Sequence, residues 1–399
     1  MMKIGDVAKF QNGFAFKSKD FKKNGEFPII KIKELKDGEV KFFSDSACVD
    51  VDLDDGYRKY LVQEGDVLFA LTGDPVNKPN PLSWVGRVSV YNHKEEALIN
   101  QRVCKLLPTK NVNPKYIYYF FRDFENFYRL ASLATGSASQ ANISTKTIEN
   151  VEIDLPPINV QNRVVEYLDA ISKKIEINNR INNNLEQQAR TIYQNMFENI
   201  DSLPAGWHKV PLGEVINISN KSFNPLKEPE TLLEHYSIPA YDDAKFPVFE
   251  LSTEIKSNKF IIDDSCFMIS KLNPTTKRVW RPYCLTNNAV CSTEFIVYKA
   301  KEESLTDYLY SVINSDSFSE FMCSHVTGST GSRQRTTPKD TLFFEVLVPT
   351  EEELETFKTT VAPMYAQMRN IAIENNKLKE TRDALLPRLM SGEIDVSNV

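Results

Sequence analysis

The chain has 399 residues, of which 41% are hydrophobic and 26% charged, and it carries a formal net charge of −6. This is the composition of a folded globular protein, too long for one comfortable core, so two or three domains are expected. The negative balance argues against a nucleic-acid binder that works by excess Lys and Arg alone. No apolar run is long enough to span a bilayer, and the opening MMKIGDVAKFQNG lacks the apolar stretch of a signal peptide, so a cytoplasmic location without a membrane partner is expected.

In chain order, EFPIIKI from Glu26, DVLFAL from Asp66, RVSVY from Arg87, RVCKLL from Arg102 and NVEIDLP from Asn150 read as short strands. NPKYIYYFFRDFENFYRLASLA from Asn113 reads as one or two aromatic-rich helices. After Pro156 and Pro157 a seam of alternating four- and three-residue spacing begins. Positions 164, 168, 171, 175, 178, 182, 185, 189, 192 and 196 carry Val, Leu, Ile, Ile, Asn, Asn, Leu, Ala, Ile and Met. Such a 3.5-residue period marks a coiled-coil helix.

The second half follows suit. STEFIVYKA from Ser292 reads as a strand, and LTDYLYSVINSDSFSEFM from Leu305 as helix. Thr350 with Glu353 forms a capping box that opens a second seam at positions 357, 361, 364, 368, 371, 375, 378, 382, 385 and 389. At 1.5 Å per residue each long helix would measure about 60 Å, and Pro387 should kink or end the second. Asn178, Asn182 and Asn375 interrupt the apolar seams; such residues cost stability but fix register, so antiparallel packing of the two helices is expected to bring them together.

The order of elements reflects an internal repeat. ATGSASQANISTKTIENVEIDLPP from Ala134 and VTGSTGSRQRTTPKDTLFFEVLVPT from Val326 both open on Thr-Gly-Ser, pass through a polar run and a short strand, and stop at proline. INNNLEQQARTIYQNMF from Ile181 then lies over ENNKLKETRDALLPRLM from Glu374. IGDV (Ile4–Val7) echoes LGEV (Leu212–Val215), and GDVLFAL from Gly65 echoes DSCFMIS from Asp264. The architecture expected is therefore α+β and duplicated. Mixed domains at 1–157 and 200–350 alternate with long helices at 158–199 and 351–399, the helices packing antiparallel as a coiled coil.

Catalytic signatures are missing. There is no P-loop, no Rossmann glycine fingerprint and no Asn-Pro-Pro-Tyr, and the four histidines are dispersed. ELK (Glu34–Lys36) and EIK (Glu254–Lys256) have no preceding Pro-Asp to complete a nuclease site. Cys323 and His325 lack a second ligand pair of zinc spacing, so no metal site is expected. The six scattered cysteines read as free, mostly buried thiols.

What remains is polar loop chemistry. Arg suits guanine and Gln or Asn suits adenine, while Lys and hydroxyls suit phosphates. In the first half the loops offer Lys78, Trp84, Arg87, Ser139, Gln140, Asn142 and Lys146. In the second half they offer Lys277, Arg278, Trp280, Arg281, Ser332, Arg333, Gln334, Arg335 and Lys339.

With its duplication, the LPAGWHKVPLGEV segment from Leu203, CSTEF (Cys291–Phe295) and the tail TRDALLPRLMSGEI from Thr381, the chain resembles the specificity subunits of type I restriction–modification enzymes. That resemblance implies two target-recognition domains, each reading one half of a split, asymmetric sequence of double-stranded DNA. The helices would set the spacing of the half-sites and dock two adenine methyltransferase subunits, with restriction subunits joining that core. It also implies no catalysis and no cofactor of its own, S-adenosylmethionine and ATP belonging to the partners. The alternatives left open are a coiled-coil scaffold with two interaction heads that bind no DNA, and an unrecognised nuclease.

Overall fold

A computed structural model describes residues 1–109, 111–137, 139–200, 202–328 and 334–396. The chain forms two compact units, Met1–Lys173 with Lys379–Val399, and Lys174–Leu378. The division falls inside the long helices rather than at 157/158, 199/200 and 350/351. Each unit is one globular half together with part of both helices, because each apolar seam is buried against the globular half beside it.

The first unit is organised around a six-stranded sheet. Its order is Ala8–Asn12, Val103–Pro108, Val67–Ala70, Val88–Val90, Glu39–Val40 and Leu35–Lys36. A second sheet runs Cys48–Val49, Phe27–Ile30, Ala97–Ile99 and Leu61–Val62, its middle pair parallel. The aromatic segment forms two helices, Pro114–Arg122 and Phe124–Ser132. Asn113 and Asp123 accept from the free N–H groups at their starts. Their buried Tyr116, Phe120, Phe121 and Leu130 pack on Phe69 and Val88 of the sheet.

The second unit repeats the plan. Ile216–Ser219, Phe295–Ala300, Cys266–Ser270 and Val279–Trp280 make one sheet in the corresponding order. Val248–Leu251, Leu232–Tyr236, Ala289–Ser292, Lys259–Ile261 and Ser222–Phe223 make the other, again with a parallel pair inside. The helix pair returns as Thr306–Ile313 and Asp316–Ser324. Each unit is closed by a short antiparallel pair, Met2–Lys3 with Glu152–Ile153 and His208–Pro211 with Glu345–Val348.

The register corrects one sequence echo by a residue. Ala70 and Ser270 are equivalent, since Ala70 faces Val103 and donates to the Arg87 carbonyl, while Ser270 faces Phe295 and donates to the Arg278 carbonyl. GDVLFAL therefore matches a segment starting at Ser265, not Asp264. Both strands are buried throughout, so no inside–outside alternation marks the register in the sequence.

The first long helix spans Ile158–Tyr193 and ends in a π-helical turn at Gln194–Glu198. The second spans Glu351–Met390, opened by the Thr350–Glu353 capping box. It passes through Pro387 and stops one turn later at Gly392, whose φ is +75°. A proline this close to a helix end removes few internal hydrogen bonds, so it does not terminate the helix. All the seam positions are buried or half-buried.

In the first unit the seam is apolar: Val164, Val165, Leu168, Leu386 and Leu389 share one core. In the second it holds a polar cluster. Asn178 donates to Asn375 Oδ1 and to Glu374 Oε2, each at 2.8 Å, and Asn375 donates to Asn179 Oδ1 at 2.9 Å. Asn182 donates to the Met368 carbonyl at 3.4 Å, leaving its own Oδ1 buried without a hydrogen-bond partner. No described helix is long and apolar enough to cross a membrane.

Candidate nucleic-acid interface

The Thr-Gly-Ser segments form matching hairpins. Thr135 pairs with Asn142 and Thr327 with Arg335. Both glycines have positive φ, +148° at Gly136 and +116° at Gly328, and a Cβ on Gly136 would meet the Gln140 carbonyl oxygen at 2.2 Å. This is why glycine recurs at that point. The hairpin ends lie beside equivalent strand exits, as Asn142 pairs with Thr72 and Arg335 bridges to Leu272.

Many of the predicted contact residues turn inward. Trp84 is buried against Phe124, Phe127 and Tyr128, and its indole N–H donates to the Lys78 carbonyl at 2.8 Å. Trp280 is buried among Tyr236, Tyr241 and Phe295. Neither ring is presented for stacking on a base.

Arg87 and Arg278 occupy equivalent register positions, each just before the valine that faces Phe69 or Ile269. Both tie the sheet to the segment beyond the parallel strand. Arg87 donates to the Leu82 and Ile32 carbonyls at 2.9 and 3.1 Å, and burial lowers its pKa. Arg278 makes a bidentate pair with Asp242 at 2.6 and 2.9 Å. Lys277 closes the end of Thr306–Ile313 by donating to the Asn314 and Ser315 carbonyls, with Asp316 at 3.6 Å, and burial draws its pKa down. Arg281 pairs with Asp307 and lies over the Tyr365 ring.

Exposed positions persist on the hairpins and their flanks. Lys78, Ser139, Gln140, Lys146 and Lys339 face solvent, Gln334 is half-buried, and Lys146 pairs with Glu149 at 3.5 Å. Asn142 accepts from the Thr72 hydroxyl at 3.0 Å. Arg335 makes a bidentate pair with Glu294, both contacts at 3.0 Å, and that hydrogen bonding raises its pKa. Ser332 and Arg333 lie outside the described residues.

Glu34 of the ELK tripeptide is buried, accepting from the Lys31 N–H and the Ser46 hydroxyl. It staples a loop and faces no open cleft. Glu234, which the sequence did not single out, has the same role. It is fully buried and accepts from the Tyr236 hydroxyl, the Leu285 N–H, and the N–H and hydroxyl of Thr286. These bonds satisfy the side-chain oxygens inside the fold. Among the described residues no three His, Cys, Asp or Glu side chains are grouped to hold a metal ion.

The family model for the type I restriction modification DNA specificity domain matches residues 1–187. That match covers a little under half of the chain, which over this part is similar to the type I specificity subunits. It is 20% identical to the HindI specificity subunit of Haemophilus influenzae over 85% of this chain and 88% of that one. Against the MjaIX specificity subunit of Methanocaldococcus jannaschii it is 21% identical over 77% of this chain and 75% of the relative. The match to the EcoBI specificity subunit of Escherichia coli is more local, 26% identical over 43% of this chain and 32% of that protein. The fold is similar to the crystal structure of the S subunit of a type I restriction–modification system from M. genitalium. The TM-score is 0.58 at 15% identity, with 97% of this chain and 95% of that one covered.

Proposed function

We propose that this chain is a type I specificity subunit that reads double-stranded DNA for an adenine methyltransferase, each unit recognising one half of a bipartite, asymmetric target. The observation that carries the reading is the frame built twice, in which matching hairpins on matching strand exits carry different polar side chains. A device that reads two different half-sites needs this combination of constant scaffold and divergent contact residues.

The helices continue from one unit into the other and set the gap between half-sites; the asparagine cluster fixes their register. Two methyltransferase subunits dock on the subunit, restriction subunits join them, and the complex works in the cytoplasm. S-adenosylmethionine and ATP are bound by those partners, whose surfaces also supply positive charge missing from a chain of net charge −6.

Sequencing methylated adenines in cells with and without the chain is the direct test. A split motif that depends on the chain is expected. Methylation independent of the chain would favour a scaffold with two interaction heads. Inserting one heptad into both helices should lengthen the gap while leaving the half-site bases alone; altered bases with an unchanged gap would refute the spacer role.

A further inference from the structure

Three ladders converge on one position in each unit. Val103 faces Ala70 as Phe295 faces Ser270, so Arg102 and Glu294, the residues just before, are equivalent. Their carbonyls accept from the equivalent Leu71 and Lys271 N–H groups, each at 2.9 Å. On the other side of the same residues, the Leu71 and Lys271 carbonyls accept from Ile143 and Thr336. The preceding hairpin residues, Asn142 and Arg335, are therefore equivalent as well. Each unit thus has a two-position site, one position at a strand entry and one on the Thr-Gly-Ser hairpin, separated by a single backbone segment.

The site is filled in opposite senses. In the second unit the strand-entry residue is Glu294 and the hairpin residue Arg335, joined in a bidentate pair. In the first unit the guanidinium is at the strand entry, as Arg102, and the hairpin carries Asn142. Arg102 is exposed and makes no hydrogen bond or ion pair with its side chain among the described residues, while Asn142 is oriented by the Thr72 hydroxyl.

We propose that this two-position site contacts base edges in both units, and that Arg102 is the first unit's specificity-determining arginine, with Asn142 beside it. The inference rests on the DNA-reading function proposed above. An unpaired guanidinium can approach guanine O6 and N7 with two parallel N–H donors, and an amide fits adenine N6 and N7. In the second unit Glu294 fixes the plane of the Arg335 guanidinium, which narrows the bases it can match. The two halves therefore present an arginine from opposite sides of one frame, giving different half-sites without a change of fold.

The test compares the methylated-adenine motif of wild type, Arg102→Ala, Arg102→Lys and Arg335→Ala in complex with the methyltransferase. Arg102→Ala should relax one position of one half-site by roughly 5- to 150-fold, the loss expected for a bidentate base contact. Arg335→Ala should relax the other half-site only, and Arg102→Lys should not restore discrimination, since an ammonium lacks the fork. An unchanged motif in Arg102→Ala overturns the inference, as does full recovery in Arg102→Lys, which would mark a phosphate contact. Uniform loss of methylation in an assembled complex, or failure of the variant to assemble, overturns it too. A wild-type complex with no split motif would instead sink the DNA-reading function itself.

Discussion

Where the second unit pairs Glu294 with Arg335, the first has Arg102 and Asn142 on the same backbone. Where the first unit packs Trp84 under Phe124, Phe127 and Tyr128, the second places Asp316 at the start of the equivalent helix and pairs it with Arg190 and Lys277. The seam differs in the same way, apolar around Val164 and Leu389, polar around Asn178 and Asn375. Backbone ladders and buried apolar faces hold the fold and tolerate little change. Side chains at strand exits and along the helix contact can be exchanged, provided every buried charge keeps a partner. A duplicated scaffold can thus diverge in what it contacts while its topology stays fixed.

Three measurements would break or sharpen that comparison. The largest effect is expected at the equivalent seam positions Phe357 and Val164. Phe357 is fully buried, with ring contacts to Phe197 at 5.1 Å and Tyr193 at 6.3 Å. Phe357→Ala should cost about 3–5 kcal/mol, and Val164→Ala on the order of 2 kcal/mol. Hydrogen exchange resolved by unit should place each loss in its own unit; equal losses in both would mean the units unfold together.

A smaller effect is expected in the polar seam. Asn375→Ala removes an acceptor from the buried Asn178 amide and should lower stability by about 1–3 kcal/mol. Replacing Asn178 and Asn375 together by Leu should recover stability in denaturant unfolding while loosening helix register. A double variant as unstable as the single one would show that the asparagines are no burden to the seam.

The smallest effect concerns pH. Hydrogen bonds from Thr350 hold Glu353 below the ordinary glutamate range, aided by the Trp207 indole at 2.6 Å. A depressed folded pKa stabilises the fold at pH above the unfolded value, about 4.3, and the gain disappears as pH falls through the folded one. Glu353→Gln should flatten that acid limb slightly without moving stability's pH dependence above neutrality. An unchanged acid limb would remove Glu353 from the account.

The long helices were legible because their period repeats over many turns, and the strands beginning near Phe27, Val67, Val88 and Val103 because each is a short β-branched or apolar run. Two-residue strands such as Cys48–Val49 and Leu61–Val62 were not, since they have no periodicity and exist only through distant partners. The candidate contact residues were legible as loops but not as individuals. Residue type alone gives Arg278, Arg281 and Arg335 equal standing, and only the structure assigns them to Asp242, Asp307 and Glu294. In the sequence Arg102 is only the first residue of a strand, and its equivalence to Glu294 of CSTEF follows from the strand register alone.

The sequence by itself determined the duplication, the two seams and the repeated Thr-Gly-Ser segments, because these are local or periodic patterns that survive without knowledge of neighbours. The tertiary structure alone decided which cations are neutralised, which tryptophans are buried and which residues of the two halves are equivalent. Those outcomes depend on pairs brought together across tens of residues, where a one-residue difference in register changes every partner.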